Sequence, residues 1–171
     1  MSPARKLLMA SGLVLATLGM LYGLYYAVLV EHQALDRMGG ALAQGFVHAA
    51  DRNMPEAHSS IDEYAAVKYD YVRQVDLHSH WIGLAMLLIV LGAAFDWVAL
   101  DERSRMLSAA GLAFGSFLFP LGVILQTLTH GSGFSKGLAI VGSALVIIAL
   151  AAVAWGFARE AREPAARDRR I

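Results

Sequence analysis

The sequence predicts an all-α, polytopic membrane protein: a four-transmembrane-helix bundle with a small helical cap outside the bilayer. Three observations carry this reading. Of 171 residues, 57% are hydrophobic and only 16% charged, where a soluble domain holds roughly a quarter charged residues. The mean hydropathy is +0.52. Four apolar runs, at 7–30, 81–100, 106–128 and 138–157, each approach the ~20 residues needed to cross a ~30 Å hydrocarbon core. They leave room for one outer helical extension at about 31–77, so 1–171 is read as a single membrane domain in contact with the lipid bilayer.

The first run follows Arg5 and Lys6 and continues without a small-x-small cleavage site, which makes it a retained anchor rather than a signal peptide. Gly12, Ala16, Gly19 and Gly23 form one stripe of small residues that lets another helix approach closely. Tyr22, Tyr25 and Tyr26 read as an interfacial aromatic belt. The helix is expected to run past the bilayer and stop at Gly39-Gly40. A short amphipathic helix then follows over 41–52, with Phe46 and Val47 as its apolar residues.

Asn53-Met54-Pro55 is a helix start with Pro in the first turn. No breaker appears until Gly83, and Ile61, Tyr64, Lys68, Tyr71 and Val75 recur at helical spacing. One long rod running from the cap into the second span is therefore expected. The third span contains Gly111-x-x-x-Gly115 and a mid-span Pro120 that should kink it. Gly131-Ser132-Gly133 forms a tight turn, and the fourth span is Ala-, Val- and Ile-rich scaffold. Gly19, Gly23, Gly111 and Gly115 are the expected points of helix–helix association.

Lys and Arg are concentrated at the N-terminus, in the loop holding Arg103 and Arg105, and in the tail from Arg159 onward, which together hold nine of the fourteen. By the positive-inside rule both termini face the cytoplasm of an inner membrane and 31–77 faces outward. That outer segment carries eight acidic residues against four basic ones. There is no cysteine, which removes disulfides, thiolate zinc sites, iron–sulfur clusters and covalent haem attachment.

All six histidines fall on the outward side, and His32, His78, His80 and His130 are expected at one depth, where helices enter and leave the bilayer. Imidazoles projecting from facing helices are how bundles build haem and metal sites. Residues two apart point about 200° apart on a helix, so His78 and His80 cannot both face inward. His78 shares a face with Ala85, Ile89, Gly92 and Asp96, whereas His80 shares one with Leu84, Leu87 and Leu91. His130 sits above Gln126 and Thr127, and His32 lies opposite the glycine stripe. His78 and His130 are thus the preferred inward pair. Asp76 lies four residues before His80, as His58 does before Asp62. Such pairs suit Zn²⁺ or Cu²⁺, so His58, Asp62, Asp76 and His80 are the metal candidates. Asp96, close to Trp97 and Asp101, is read as reaching the inner interface.

Over residues 76–92, DLHSHWIGLAMLLIVLG, the chain resembles the second helix of haem-copper oxidases and nitric oxide reductases. There a histidine near the outer end of a glycine-containing helix ligates low-spin haem. The stretch also looks like small four-helix membrane proteins of unknown function that share a His-x-His at a helix start. The resemblance implicates His78 or His80; the twelve-helix oxidase body and its copper pattern are absent, so oxidase activity is not implied.

Three functions are therefore expected to compete. One is haem b binding for electron transfer, with quinol or an outer redox partner, or for gas sensing. Another is a metal-binding regulatory module. The third is a cofactor-free subunit or assembly factor of a larger membrane complex. No nucleophile elbow, phosphate loop, His-Glu-x-x-His or basic stripe occurs. No catalytic residue is assigned, no enzymatic activity is expected of the chain on its own, and no nucleic-acid partner is expected.

Overall fold

The computed structural model describes residues 1–129 and 132–160, and these are almost entirely helical. In chain order they form α1 (Pro3–Tyr25), a π-helical segment (Tyr26–Val30), α2 (Glu31–Ala50), α3 (Met54–Ala94), a 3₁₀ turn (Phe95–Trp97), α4 (Glu102–Leu128) and α5 (Gly133–Glu160). Four continuous helical segments are long and apolar enough to cross a membrane: Pro3–Ala50, Met54–Trp97, Glu102–Leu128 and Gly133–Arg159. Leu13, Met20, Leu24, Val90, Phe114, Ile140 and Ile147 are exposed along them, an apolar exterior compatible with contact with lipid. His130 and the charged tail lie outside the described residues.

The expected rod is present. α3 runs unbroken for 41 residues from Met54, because Pro55 occupies the first turn, where its missing N–H has no intrahelical partner to lose. The expected stop at Gly39-Gly40 is not a stop. Both glycines lie inside α2, exposed and touching nothing. Two interior glycines weaken a helix by about 1 kcal/mol each, and packing a turn later, at Ala41 and Gly45, holds this one.

The helix ends instead at Asp51. Arg52 N–H bonds the Ala49 carbonyl at 3.0 Å and Asn53 N–H bonds that of His48 at 2.8 Å. This is the Schellman arrangement, and it places Arg52 in the left-handed region at φ 59°. Phe46 and Val47, expected as the apolar face, are 71% and 59% exposed. The packed face carries smaller side chains.

The chain divides into two compact units, Gly19–Ser79 and a second made of Met1–Leu18 with His80–Ile171. In the Gly19–Ser79 unit, the end of α1, the π segment and α2 run antiparallel to the first part of α3. Gly45 packs on Ser60 and Ile61, the Ile61 side chain lying 3.4 Å from where a Cβ would stand. Tyr26 packs against Tyr71 with ring centroids 6.3 Å apart. An exposed ion pair joins Arg37 to Glu63 at 3.4 Å.

In the second unit, Leu8, Leu15, Leu88, Phe95, Leu112 and Val153 form the core. Gly12 and Gly92 let the backbones of α1 and α3 meet: a Cβ on Gly12 would lie 3.0 Å from the Ala85 carbonyl oxygen. Asp96 is not simply an interfacial acid. It accepts from Arg5 Nη1 at 2.9 Å and from Ser2 Oγ at 2.7 Å. Asp101 caps α4, its carboxylate accepting the Ser104 N–H at 3.1 Å. α4 and α5 interlock through glycines, since a Cβ on Gly115 would sit 2.7 Å from the Gly142 carbonyl oxygen. Gly111 and Gly115 thus face α5, and Gly19 and Gly23 face α3, so these small-residue faces are used within the chain.

Candidate functional site

The alternation of three- and four-residue steps along α3 explains which side chains converge. Ala57, Ser60, Tyr64, Val67, Tyr71, Gln74 and His78 are all buried or half-buried, and the same rhythm continues through Trp81, Ala85, Leu88 and Gly92. A heptad rhythm of this kind keeps one face turned towards a neighbouring helix. His78 belongs to that face. His80, two residues later, is exposed, with its ring edge-on to Phe119 at 5.5 Å.

Opposite His78 stand Gly19 and Gly23 of α1. His78 Nδ1 donates to the Gly19 carbonyl at 3.2 Å; since a carbonyl only accepts, the proton of the neutral ring is on Nδ1. That leaves Nε2 as the acceptor nitrogen. The ring occupies the notch that Gly23 leaves, where a Cβ would lie 2.8 Å from Nδ1. The stripe of small residues expected from the sequence to serve helix packing is therefore also what seats the imidazole.

One turn further on, α1 passes into the π segment, where the Glu31 N–H reaches back five residues to the Tyr26 carbonyl. Wide turns of this kind concentrate at functional sites. Tyr26 is 7% exposed and its hydroxyl is buried with no hydrogen-bond partner among the described residues. Its ring stacks on Tyr22 at 6.5 Å, and the Tyr22 hydroxyl donates to Gln74 Oε1. The Tyr71 hydroxyl donates to Glu31 Oε1 at 3.2 Å.

Beside these groups lies an open cavity of about 400 Å³. Its polar lining comes from His78, Tyr26 and Glu31, and its apolar lining includes Met20, Leu24 and Val75. A second, smaller cavity of about 280 Å³ also touches Tyr26, with Gln33, Arg37, Asp70 and Tyr71 among its walls. Volumes of this order suit a small ligand.

Of the residues expected to act together, the structure gathers only part. His78 lines the cavity, whereas His32, His58, Asp62 and Asp76 are exposed at separate points of α2 and α3. His130 lies outside the described residues. No group of three or more His, Cys, Asp or Glu able to hold a metal ion occurs among the described residues.

The fit to haem is mixed. A histidine whose Nδ1 is committed to a backbone carbonyl presents Nε2 as a ligand atom. Yet the space at Gly23 is filled by the imidazole itself, and among the described residues no second histidine lines the cavity. Tyr26 and Glu31 were not singled out as ligands from the sequence. Tyr22 and Tyr26 stand one helical turn apart and Glu31 five residues on, a spacing that brings all three together only through the π segment.

No family model, curated protein or solved structure matches this chain.

Proposed function

We propose that this chain is an integral protein of the inner membrane, with both termini cytoplasmic. At the outward boundary of the bilayer it binds a small amphipathic molecule drawn from the lipid phase. One observation carries the reading: an open cavity of about 400 Å³ joins a polar side to an apolar one. The same cavity sets the polar residues His78, Tyr26 and Glu31 beside the apolar Met20, Leu24 and Val75, the lining an amphipathic ligand would need. Met20 and Leu24, exposed on the apolar side of the cavity, would meet the hydrocarbon part of such a ligand. No catalytic group is assigned; binding, carrying or sensing is the role.

The test is to purify the chain from membranes, extract it with organic solvent and identify what co-purifies by mass spectrometry. The same extraction is made on Tyr26→Phe and on Leu24→Trp, which fills the apolar side. A ring compound present at near-stoichiometric amount in the wild type and depleted in both variants supports the reading. Equal extracts from all three sink it.

A second reading is favoured by the fixed orientation of His78. With Nδ1 bonded to Gly19, His78 would present Nε2 to a haem b, with electron transfer or gas sensing as the role. Haem would supply one-electron or diatomic-gas chemistry; the chain would supply the imidazole and its orientation. The absorption spectrum of the same preparation separates the two: a Soret band lost in His78→Ala supports haem.

A further inference from the structure

The hairpin made by α2 and the first part of α3 has two open faces of opposite chemistry. Its seam recurs at steps of three and four residues, through Ala34, Ala41 and Gly45 on α2 and Ser60, Val67 and Tyr71 on α3. In an antiparallel pair of right-handed helices, the residues one step before the seam on both helices share one face. Those one step after it share the other. The first face is polar: Arg37, Gln44, Glu56, Glu63, Asp70 and Arg73, with Val47 as its exception. The Arg37–Glu63 ion pair spans it at 3.4 Å. The second face is apolar: Leu35, Leu42, Phe46, Ile61, Val72 and Val75. Phe46 is 71% exposed, and Leu35, Ile61, Val72 and Val75 are exposed with it. Charge at the density of the first face keeps a hairpin out of hydrocarbon, so lipid chains do not cover the second.

We infer that two copies of this chain pair through these apolar faces, so that their hairpins form a four-helix bundle outside the hydrocarbon. The inference uses the membrane placement proposed above and not the cavity. Two copies in one membrane share one orientation, so the two-fold axis of the pair runs along the membrane normal and residues of equal height meet. Contacts within the hairpin give the heights: Gly45 packs on Ser60 and Ile61, and Arg37 meets Glu63. By that register Phe46 stands level with His58, Leu42 with Ile61, and Asp36 with Lys68, each within about one turn. Across the axis α2 of one copy faces α3 of the other, which joins Leu42 to Ile61 at the apolar centre. Lys68, exposed on the apolar face, then comes level with the oppositely charged Asp36 of the other copy. Gly39, on the same face and touching nothing, leaves room for the other copy's Ala65. The area suffices. α2 has 20 residues, and two helices side by side give a face of about 30 Å by 20 Å. Apposing two such faces covers roughly 1,200 Å², the lower end of specific interfaces.

The experiment uses the full chain in its membrane, where the absence of cysteine gives a clean background. Two differently tagged copies are co-expressed, one with Phe46→Cys and the other with His58→Cys, and oxidised with copper phenanthroline. The control pair, Gln44→Cys and Ser59→Cys, is exposed at matched height on the polar face. A disulfide-linked pair of copies is expected from the apolar face at about tenfold or more the yield of the control, because a held pair reacts at its effective concentration and not by collision. Lys68→Glu in both copies should lower that yield, and adding Asp36→Lys should restore it, a recovery that a merely misfolded variant would not show. Equal yields from the two faces, or none from either, overturn the inference. A product joining one copy to a different protein overturns it in favour of a hetero-partner. A chain that stays monomeric yet retains an extractable ligand refutes the pairing and leaves the cavity reading standing.

Discussion

Tyr26 keeps a hydroxyl where water does not reach it and no group of the described residues answers it. Replacing it by Phe should therefore leave the protein as stable as the wild type or up to about 1 kcal/mol more stable, while lowering the amount of any ligand that co-purifies. A paired thermal-melt and extraction measurement checks both halves. Gly23 makes the opposite case. A Cβ there would drive into the His78 ring, so Gly23→Ala should destabilise by about 1–3 kcal/mol, the usual range for overpacking. His78→Ala should relieve part of that loss in the double variant. Arg52, held at φ 59° in the Schellman turn, is strained where glycine would not be; Arg52→Gly is expected to raise stability by about 1 kcal/mol, read as an upward shift of the melting midpoint. At this scale the sequence was partly legible. The separation of His78 from His80 followed from helical phase alone, but the meeting of His78 and Glu31 at one cavity did not, because it depends on a turn type that composition does not announce.

At the scale of elements, α3 was predictable as a rod because no breaker interrupts 55–82. Its packed face was predictable only in part. Of the expected stripe, Tyr64 and Tyr71 lie on the observed seam, whereas Lys68 and Val75 are exposed, and the seam also uses Ala57, Ser60, Gln74 and His78. Small and polar side chains can line a close two-helix contact, so hydrophobicity does not mark it. Phe46 and Val47 misled for the same reason. Between α4 and α5 the glycines carry the contact. Gly142→Leu would push a branched side chain into the Phe119 backbone, and a loss of at least 3 kcal/mol or a failure to fold is expected, scored by recovery of monodisperse protein in detergent. The cap of α4 responds to pH. The Ser104 bonds hold the Asp101 carboxyl below the ordinary carboxylate range. Its stabilisation is therefore complete above the unfolded-state value near 3.9 and is lost as pH falls through the lower folded-state value. Asp101→Asn keeps the cap oxygen without the titration, so the difference in melting midpoint between the two proteins should shrink on acidification below about pH 4.

For the molecule as a whole, the four apolar segments were plain from composition and run length. The division into a Gly19–Ser79 unit and a second unit was not, since α1 and α3 each run through the dividing point without a break in helicity. The chain contains no cysteine, and this makes its topology directly measurable. Single variants Ser59→Cys and Arg103→Cys are exposed positions on opposite sides of the proposed membrane. A membrane-impermeant maleimide applied to intact cells should label Ser59→Cys and reach Arg103→Cys only after lysis. The reverse pattern would invert the orientation and place the cavity on the cytoplasmic side.

The wide turn at Tyr26–Val30 has one more consequence. It holds one residue more than an α-helical path would need, and that residue acts as a vernier between two lengths of helix. Before it, Gly19 and Gly23 address α3; after it, Ala41 and Gly45 do. Deleting Val28 would close the turn and rotate everything beyond it by about 100° relative to α1. Ala41 and Gly45 would swing away from Ser60, and exposed Leu35 or Phe46 would be carried towards the seam. The surplus amino acid thus keeps two helical stretches in phase with a single long partner, and its removal should uncouple α2 from α3, seen as new protease sensitivity in residues 31–53.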